Sequence, residues 1–214
     1  MGLEFLDIFE KWANEYDASV SGKDEQYREV FRNYNEILEY VADRSIGHVI
    51  EFGTGTGNLT KKLLEKELTV VGIEPSVPMR QLAHQKLGAD VLVTPGDFLQ
   101  FDTSLFPAES LVSTYAFHHL TDKEKEEAVI NYGKLLQTGG KIVFADTMFE
   151  TADSFADTIV QAKQKGYTQL AEDLEREYYT TIPVLKQIFE SNGFHITFTP
   201  VSYTHLTLPT TSRV

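Results

Sequence analysis

"VIEFGTGTGNLT", Val49 to Thr60, decides how this chain is read. An apolar run enters it, three glycines alternate with two threonines through its middle, and Asn58 to Lys66 leaves it with helical spacing. A short apolar run of that length reads as a buried strand, and glycines at its end let the backbone take left-handed angles and approach a ligand closely. A strand, a glycine turn and a helix make the opening unit of a nucleotide- or cofactor-binding α/β sheet. Two phosphate-binding readings fit it poorly. A Walker loop needs Gly-Lys-Ser/Thr at its end, and Gly57 is followed by Asn58 and Leu59. The dinucleotide pattern G-x-G-x-x-G wants its third glycine where Asn58 stands, because the glycines fall at 53, 55 and 57. A plain structural turn is the remaining alternative.

Outward from that turn, apolar strands alternate with amphipathic helices. "LTVVGIE", "ADVLVTPGDF", "SLVSTYAF", "TGGKIVFAD" and "FHITF" read as strands two to six. Helices are expected over residues 3–16, 24–43 and 79–87, from Thr121 with its Glu124 capping partner to Leu136, and over most of 151–192. Continuously apolar strands separated by helices predict a mostly parallel sheet covered on both faces, in one α/β domain.

Two carboxylates follow later strands. Glu74 ends the second strand about 20 residues after the first glycine, where a carboxylate can accept both hydroxyls of a ribose. A charge at the next helix's N-terminus is its alternative role. Asp97 follows the third strand, where it can accept from an exocyclic amine while Phe98 and Leu99 flank a base; a turn aspartate after Gly96 is the plainer role. Features at the carboxyl ends of three successive strands sit where open α/β sheets bind ligands.

The segments "EFGTGTGNLT", "VVGIEPS", "GDF", "STYAFHHL" and "GGKIVFAD" resemble, in order, the motifs of class I S-adenosylmethionine-dependent methyltransferases. The resemblance runs from about Phe5 to Thr199, and "FEKWANEYD" brings it closest to the YrrT-type methyltransferases of Bacillus and relatives. It implies a Rossmann-like fold with a seven-stranded sheet in the order 3-2-1-4-5-7-6, and N-terminal helices within residues 1–43 as a lid. It also implies S-adenosyl-L-methionine as cofactor. Carried over by residue, Gly53 and Gly55 shape the turn against the cofactor, Glu74 binds the ribose hydroxyls and Asp97 lies near the adenine. The methyl acceptor is left open. A cofactor-binding protein without catalysis, or a nicotinamide-dependent oxidoreductase, are the alternatives.

A base is needed only where the acceptor must lose a proton. His118 and His119, after the fourth strand, are the candidates, and packing against the next helix is their alternative role. Being adjacent, they are expected to point apart, which argues against a metal site. Tyr16 and Trp12 are candidate lid residues, and Tyr178 and Tyr179 candidates for the acceptor pocket.

The 214 residues carry 19 Lys and Arg against 32 Asp and Glu, a net charge of −13. An acidic chain repels a phosphate backbone, and no basic cluster offsets this. The Asn-Pro-Pro-Tyr type motif of base-modifying methyltransferases is also absent, with Ser113 to Ala116 in that region. A small-molecule acceptor and no nucleic-acid partner are therefore expected. There is no cysteine, which excludes disulfides and thiolate metal sites and is compatible with a reducing, cytoplasmic setting. No apolar run approaches the roughly 18 residues of a membrane helix, and the acidic N-terminus has no signal-peptide pattern. The Met-Gly start lacks the Ser or Thr of a myristoylation site, since position six is Leu6. The sequence sets no oligomeric state. "VSYTHLTLPT", Val201 to Thr210, resembles over all ten residues the translation of a transposon-based sequencing adapter. Residues 201–214 are therefore expected to be a non-native tail after a domain spanning 1–200.

Overall fold

The computed structural model describes residues 16–104, 107–200 and 206–213. The expected helix over 3–16, and Trp12 with it, lies outside them apart from Tyr16, which opens a short turn of helix, Tyr16–Ser19. Seven strands form one sheet: β1 His48–Phe52, β2 Thr69–Ile73, β3 Leu92–Thr94, β4 Ser110–Thr114, β5 Lys141–Thr147, β6 Phe194–Pro200 and β7 Leu206–Arg213. Their order is β3-β2-β1-β4-β5-β7-β6, as the resemblance implied. β1 to β5 pair in parallel, and β7 runs antiparallel to both of its neighbours.

Helices α1 Tyr34–Arg44, α2 Asn58–Glu65, α3 Val77–Leu87, α4 Asp122–Leu135, α5 Ala152–Gln164, α6 Thr168–Arg176 and α7 Ile182–Ser191 surround the sheet. β1 and β4 are buried along almost their whole length because helices cover both sheet faces, which is why they read as unbroken apolar runs. One core layer gathers Ile50, Phe52, Leu111 and Phe144 with Phe189 of α7, and the other gathers Val49, Val112 and Val143 with Ile37 and Val41 of α1. The Thr121–Glu124 capping box opens α4 as its sequence predicts. Ser76 caps α3, with a proline in the first turn, so that helix begins two residues earlier than expected.

The helix expected over 24–43 is only half realised. Residues 24–33 run in turns, and α1 starts at Tyr34 because Asn33 takes a left-handed conformation (φ 60°, ψ 29°) that no helix can continue through. Tyr27 and Phe31 are still buried, so their apolar spacing reports packing without reporting a helix.

The segment read as a foreign tail occupies the sheet as β7. Its Pro209 lies opposite Phe198 of β6, where a strand flanked on both sides should donate to a neighbour and proline has no N–H. The paired register with β5 runs over Lys141 to Val143, resumes at Asp146, and omits the two residues between. The Thr211 hydroxyl is buried without a hydrogen-bond partner among the described residues.

Candidate active site

The glycine turn is built by backbone geometry. Gly53, Gly55 and Gly57 have φ of 67°, 55° and 85°. Gly53 N and Thr54 N both donate to the carbonyl of Ile73, which ties the end of β1 to the end of β2. A Cβ on Gly53 would lie 2.8 Å from the Ala116 Cβ, so that glycine is required by the protein's own packing as well as by its angle. At Gly55 a Cβ would meet nothing nearer than a carbonyl oxygen at 4.0 Å. The space in front of Gly55 is open, and its N–H donates to Glu74 Oε2 at 2.8 Å.

Glu74 is buried, with Ser76 N donating to its other oxygen at 2.8 Å. Burial pushes its carboxyl above the ordinary range, against the pull of the two backbone donors. Each oxygen keeps lone-pair capacity for a further donor. Asp97 Oδ1 accepts from Leu99 N and Gln100 N at 2.7 and 2.8 Å, fixing the turn after β3. Gly53, Gly55, Glu74 and Asp97 line one cleft with about 700 Å³ of empty space, whose walls also include Met79 and Phe98. Leu99 packs against the core and does not line the cleft, so Phe98 and Met79 supply the apolar walls.

Behind the turn lies a group the sequence reading passed over. Glu51 in β1 is 1 % exposed and accepts from the Thr60 hydroxyl at 2.6 Å. Burial, with the nearby Glu74 carboxylate adding to it, pushes Glu51 up to about 8. A strand covered on both faces leaves its glutamate no exposed side, and that was the readable signal.

A second cavity adjoins the first, and Tyr16, Tyr115 and His119 line both. His118 and His119 sit on a single 3-10 turn, Phe117–His119. That turn brings their ring centroids within 4.2 Å and both side chains onto the second cavity, so they do not point apart as expected. Asp146, at the end of β5, receives His118 N at 2.7 Å, Thr147 N at 2.8 Å and His118 Nδ1 at 2.6 Å, which sets the ring's orientation. On the far side of the ring, His118 Nε2 lies 3.4 Å from Glu177 Oε2. Burial works against charge on His118, but Asp146 and Glu177 outweigh it and hold the imidazole above its ordinary range. His119 is pushed well down by burial and then by the neighbouring cations. Burial raises Glu177.

Glu177 follows α6, 59 positions after His118, and hydrogen bonds on the backbone of the next residue, Tyr178, bring the two together. Tyr178 N donates to the His118 carbonyl at 2.9 Å. The Lys125 ammonium, 1 % exposed, donates to the Tyr178 carbonyl at 2.7 Å and to that of Leu120. Tyr179 then stacks on His118 at 4.8 Å and donates its hydroxyl to Glu177 at 2.7 Å. Tyr178 is 38 % exposed and does not line the cavity, whereas Tyr179 does.

Two further features mark the junction of the cavities. Tyr115, the residue after β4, holds φ 54°, and its hydroxyl is buried with no hydrogen-bond partner among the described residues. A strained backbone and an unsatisfied hydroxyl at a cavity wall are costs that sites for ligands carry. Tyr16 is held in place next door. Asp17 accepts from Thr56 Oγ1 at 2.7 Å and Asn58 Nδ2 at 3.1 Å, and Lys86 Nζ bonds all three residues, clamping the N-terminal turn to the glycine loop.

Residues 49–140 match the family model described as "Methyltransferase domain". An "Uncharacterized methyltransferase" from Anoxybacillus flavithermus is 60 % identical over 202 residues, covering 94 % of this chain and 95 % of that protein. One of the same name from Bacillus thuringiensis is 55 % identical over 203 residues, covering 95 % of each. Among solved structures, a possible histamine N-methyltransferase from Thermotoga maritima superposes with a TM-score of 0.68 at 16 % identity, covering 98 % of this chain and all of that one. The magnesium protoporphyrin IX methyltransferase from Synechocystis with bound S-adenosylmethionine gives 0.66 at 13 % identity, covering 97 % and 96 %. These two distant structures share the fold alone. Identity of 55–60 % over almost the whole length goes further: this chain belongs to the methyltransferase family of its Anoxybacillus and Bacillus relatives.

Proposed function

We propose that this protein is an S-adenosylmethionine-dependent methyltransferase that binds its cofactor in the glycine cleft and a small-molecule acceptor in the second cavity. The observation that carries the reading is the meeting of two chambers at Tyr16, Tyr115 and His119. Methyl transfer needs a donor and an acceptor held in line, with water kept away, and two adjoining pockets with an aromatic junction provide that alignment. A protein that only stored the cofactor would need the first chamber alone. Family membership also leaves the nicotinamide reading without support.

The residues present fit the cofactor. The open space at Gly55 admits a ligand against the backbone, Glu74 has acceptor capacity for ribose hydroxyls, and Asp97 lies at the cleft's other side next to Phe98. When bound, S-adenosylmethionine supplies an activated methyl group. The chain's own part is to orient, to exclude water and to receive a proton where the acceptor loses one. The wall for that proton is the one on which His118, His119 and Glu177 converge. The second cavity is a cleft partly open to solvent with Tyr27, Tyr179 and Glu177 in its walls, and the net charge of −13 opposes a nucleic-acid substrate.

The test is calorimetric titration of S-adenosylmethionine into wild-type protein and Glu74→Ala. Loss of two hydrogen bonds to a carboxylate, each worth about 1.5–3 kcal/mol, should weaken affinity at least tenfold. Equal affinities would remove the ribose assignment, and binding of a dinucleotide in place of S-adenosylmethionine would overturn the function. A screen of small acceptors with labelled methyl donor then separates an enzyme from a binding protein.

A further inference from the structure

We infer that His118, His119 and Glu177 form a binding site for one divalent transition-metal ion of the zinc class, facing the second cavity. Among the described residues these three form a group whose ligand atoms all lie within 4.8 Å of one another. The His118 Nε2 to Glu177 Oε2 distance of 3.4 Å matches the edge of a tetrahedron with metal–ligand bonds of about 2.0–2.1 Å. The His119 ligand atom lies within 4.8 Å of both, so the two edges that it makes need to shorten when an ion binds.

The surroundings are those of a ligand set. Asp146 Oδ1 lies 2.6 Å from His118 Nδ1, and the carboxylate is fixed by two backbone N–H groups, Thr147 N on Oδ1 and His118 N on Oδ2, so Nε2 is the nitrogen turned toward Glu177. A carboxylate behind a ligating imidazole is the usual outer partner of such an ion. Lys125 is engaged by two carbonyls and Asp122, and Arg176 pairs with Asp173 and also lies 3.9 Å from Glu177 Oε1, so Oε2 is the carboxylate oxygen left facing His118. Imidazole and carboxylate together suit zinc, copper, iron or nickel better than magnesium or calcium. Three protein ligands leave a fourth position open on the cavity side, as in catalytic rather than structural sites.

The ion's role rests on reading the second cavity as the acceptor chamber; its binding does not. With their lone pairs on the ion, His118, His119 and Glu177 would no longer receive the acceptor's proton; an acceptor hydroxyl or thiol taking the open position would be acidified by the ion and release that proton to solvent, leaving the heteroatom's electron pair exposed toward the junction at Tyr115 and His119. The ion would thus select an oxygen or sulfur acceptor over an amine, which is protonated at neutral pH and repelled by the ion.

The test uses the untagged full chain, stripped with chelator and desalted. Zinc is titrated by calorimetry, and cobalt serves as a visible-absorption probe of coordination. One ion per chain is expected, with affinity at least tenfold weaker in Glu177→Gln and in His119→Ala. The latter leaves the Asp146–His118 pair intact, and thermal midpoints confirm that both variants are folded. Cobalt absorption unchanged from the free ion, or equal zinc affinity in wild type and both variants, would overturn the site. S-adenosylmethionine affinity is measured on the same samples. Zinc bound without S-adenosylmethionine would count against the proposed function alone, and S-adenosylmethionine bound without zinc against the metal site alone.

Discussion

Replacing Glu51 by glutamine should make the protein more stable at pH 8 and remove part of its pH dependence. Glu51 lies under the glycine turn, 1 % exposed, with the Thr60 hydroxyl on Oε2 and no ion pair among the described residues. Burial holds its pKa near 8, against an ordinary 4.5. Between those two values the folded chain keeps a proton that the unfolded chain has released. The native state therefore binds more protons than the unfolded state, and stability falls as pH rises through that window. Each pH unit costs about 1.4 kcal/mol, so the whole window is worth roughly 3–5 kcal/mol. Below the window the neutral carboxyl and the glutamine amide are near-equivalent in shape, and the Thr60 hydroxyl can still donate to the amide oxygen.

Urea unfolding followed by far-ultraviolet circular dichroism, on cofactor-free protein at half-unit steps from pH 5 to 8.5, reads this directly. Glu74 and Glu177 are also raised by burial and tilt both proteins in the same direction, so the informative quantity is the difference between the two slopes. Wild type should lose about one proton's worth of slope more than Glu51→Gln, with the curves closest near pH 5 and separated by several kcal/mol at pH 8. Parallel curves would show that Glu51 titrates at its ordinary value, and the account of a neutral carboxyl beneath the turn would be wrong.

The two glycines should fail differently. Gly53→Val meets Ala116 and should lower the thermal midpoint of the ligand-free protein, whereas Gly55→Val projects into open space and should lose S-adenosylmethionine binding with a smaller loss of stability; equal melts would contradict the geometry. Tyr115→Phe removes a buried hydroxyl that has no partner, so the ligand-free protein should be as stable or up to about 1–3 kcal/mol more stable in urea, while methyl transfer or cofactor affinity falls. Lys125→Met frees the Tyr178 carbonyl and should raise amide exchange across residues 177–179 with little change in the glycine turn, a pattern that mass-resolved hydrogen exchange can confirm or deny. Exchanging residues 201–214 for the C-terminal strand of the Bacillus thuringiensis relative should raise the urea midpoint, since Pro209 and Thr211 leave sheet positions unsatisfied; equal midpoints would make the present β7 a fully working strand.

Much of the first cleft was legible because it is written in backbone. Gly53, Glu74 and Asp97 each sit at the end of a strand, and parallel strands must end on one edge of the sheet. Recognising the strands was therefore enough to bring the three together. Leu99 was misplaced because one residue along a turn changes which side of the chain a side chain occupies. Glu51 was hidden inside an apolar strand, although its strand's double coverage leaves a carboxylate there no route to water. The helix over 24–43 was overextended because apolar spacing survives in a chain of turns when the same residues pack against the sheet, and the left-handed Asn33 leaves no trace in periodicity.

The second cavity, proposed above as the acceptor chamber, resisted for a different reason, and His118 shows why. Its neighbour in sequence, His119, gave a warning about direction that holds for a strand and fails on a 3-10 turn, where successive side chains are separated by about 120° and both can reach one cavity. Its partners are 28 and 59 positions away, and neither Asp146 nor Glu177 has local spacing that links it to a histidine. What joins them is structural labour by residues with no chemical role of their own. The Tyr178 amide reaches the His118 carbonyl, and Lys125, which reads as one more charge on a solvated helix face, is buried to hold the Tyr178 carbonyl in return. Burying an ammonium is costly unless its hydrogen bonds are met, and here two carbonyls and Asp122 meet them. A buried lysine at that position is thus the mark of a constraint: it fixes the segment that carries Glu177 and Tyr179 against the turn that carries both histidines. The edge bearing the first cleft follows from the sheet and could be read one strand at a time, whereas the wall of the second cavity exists only when α6, β5 and the turn after β4 are assembled together.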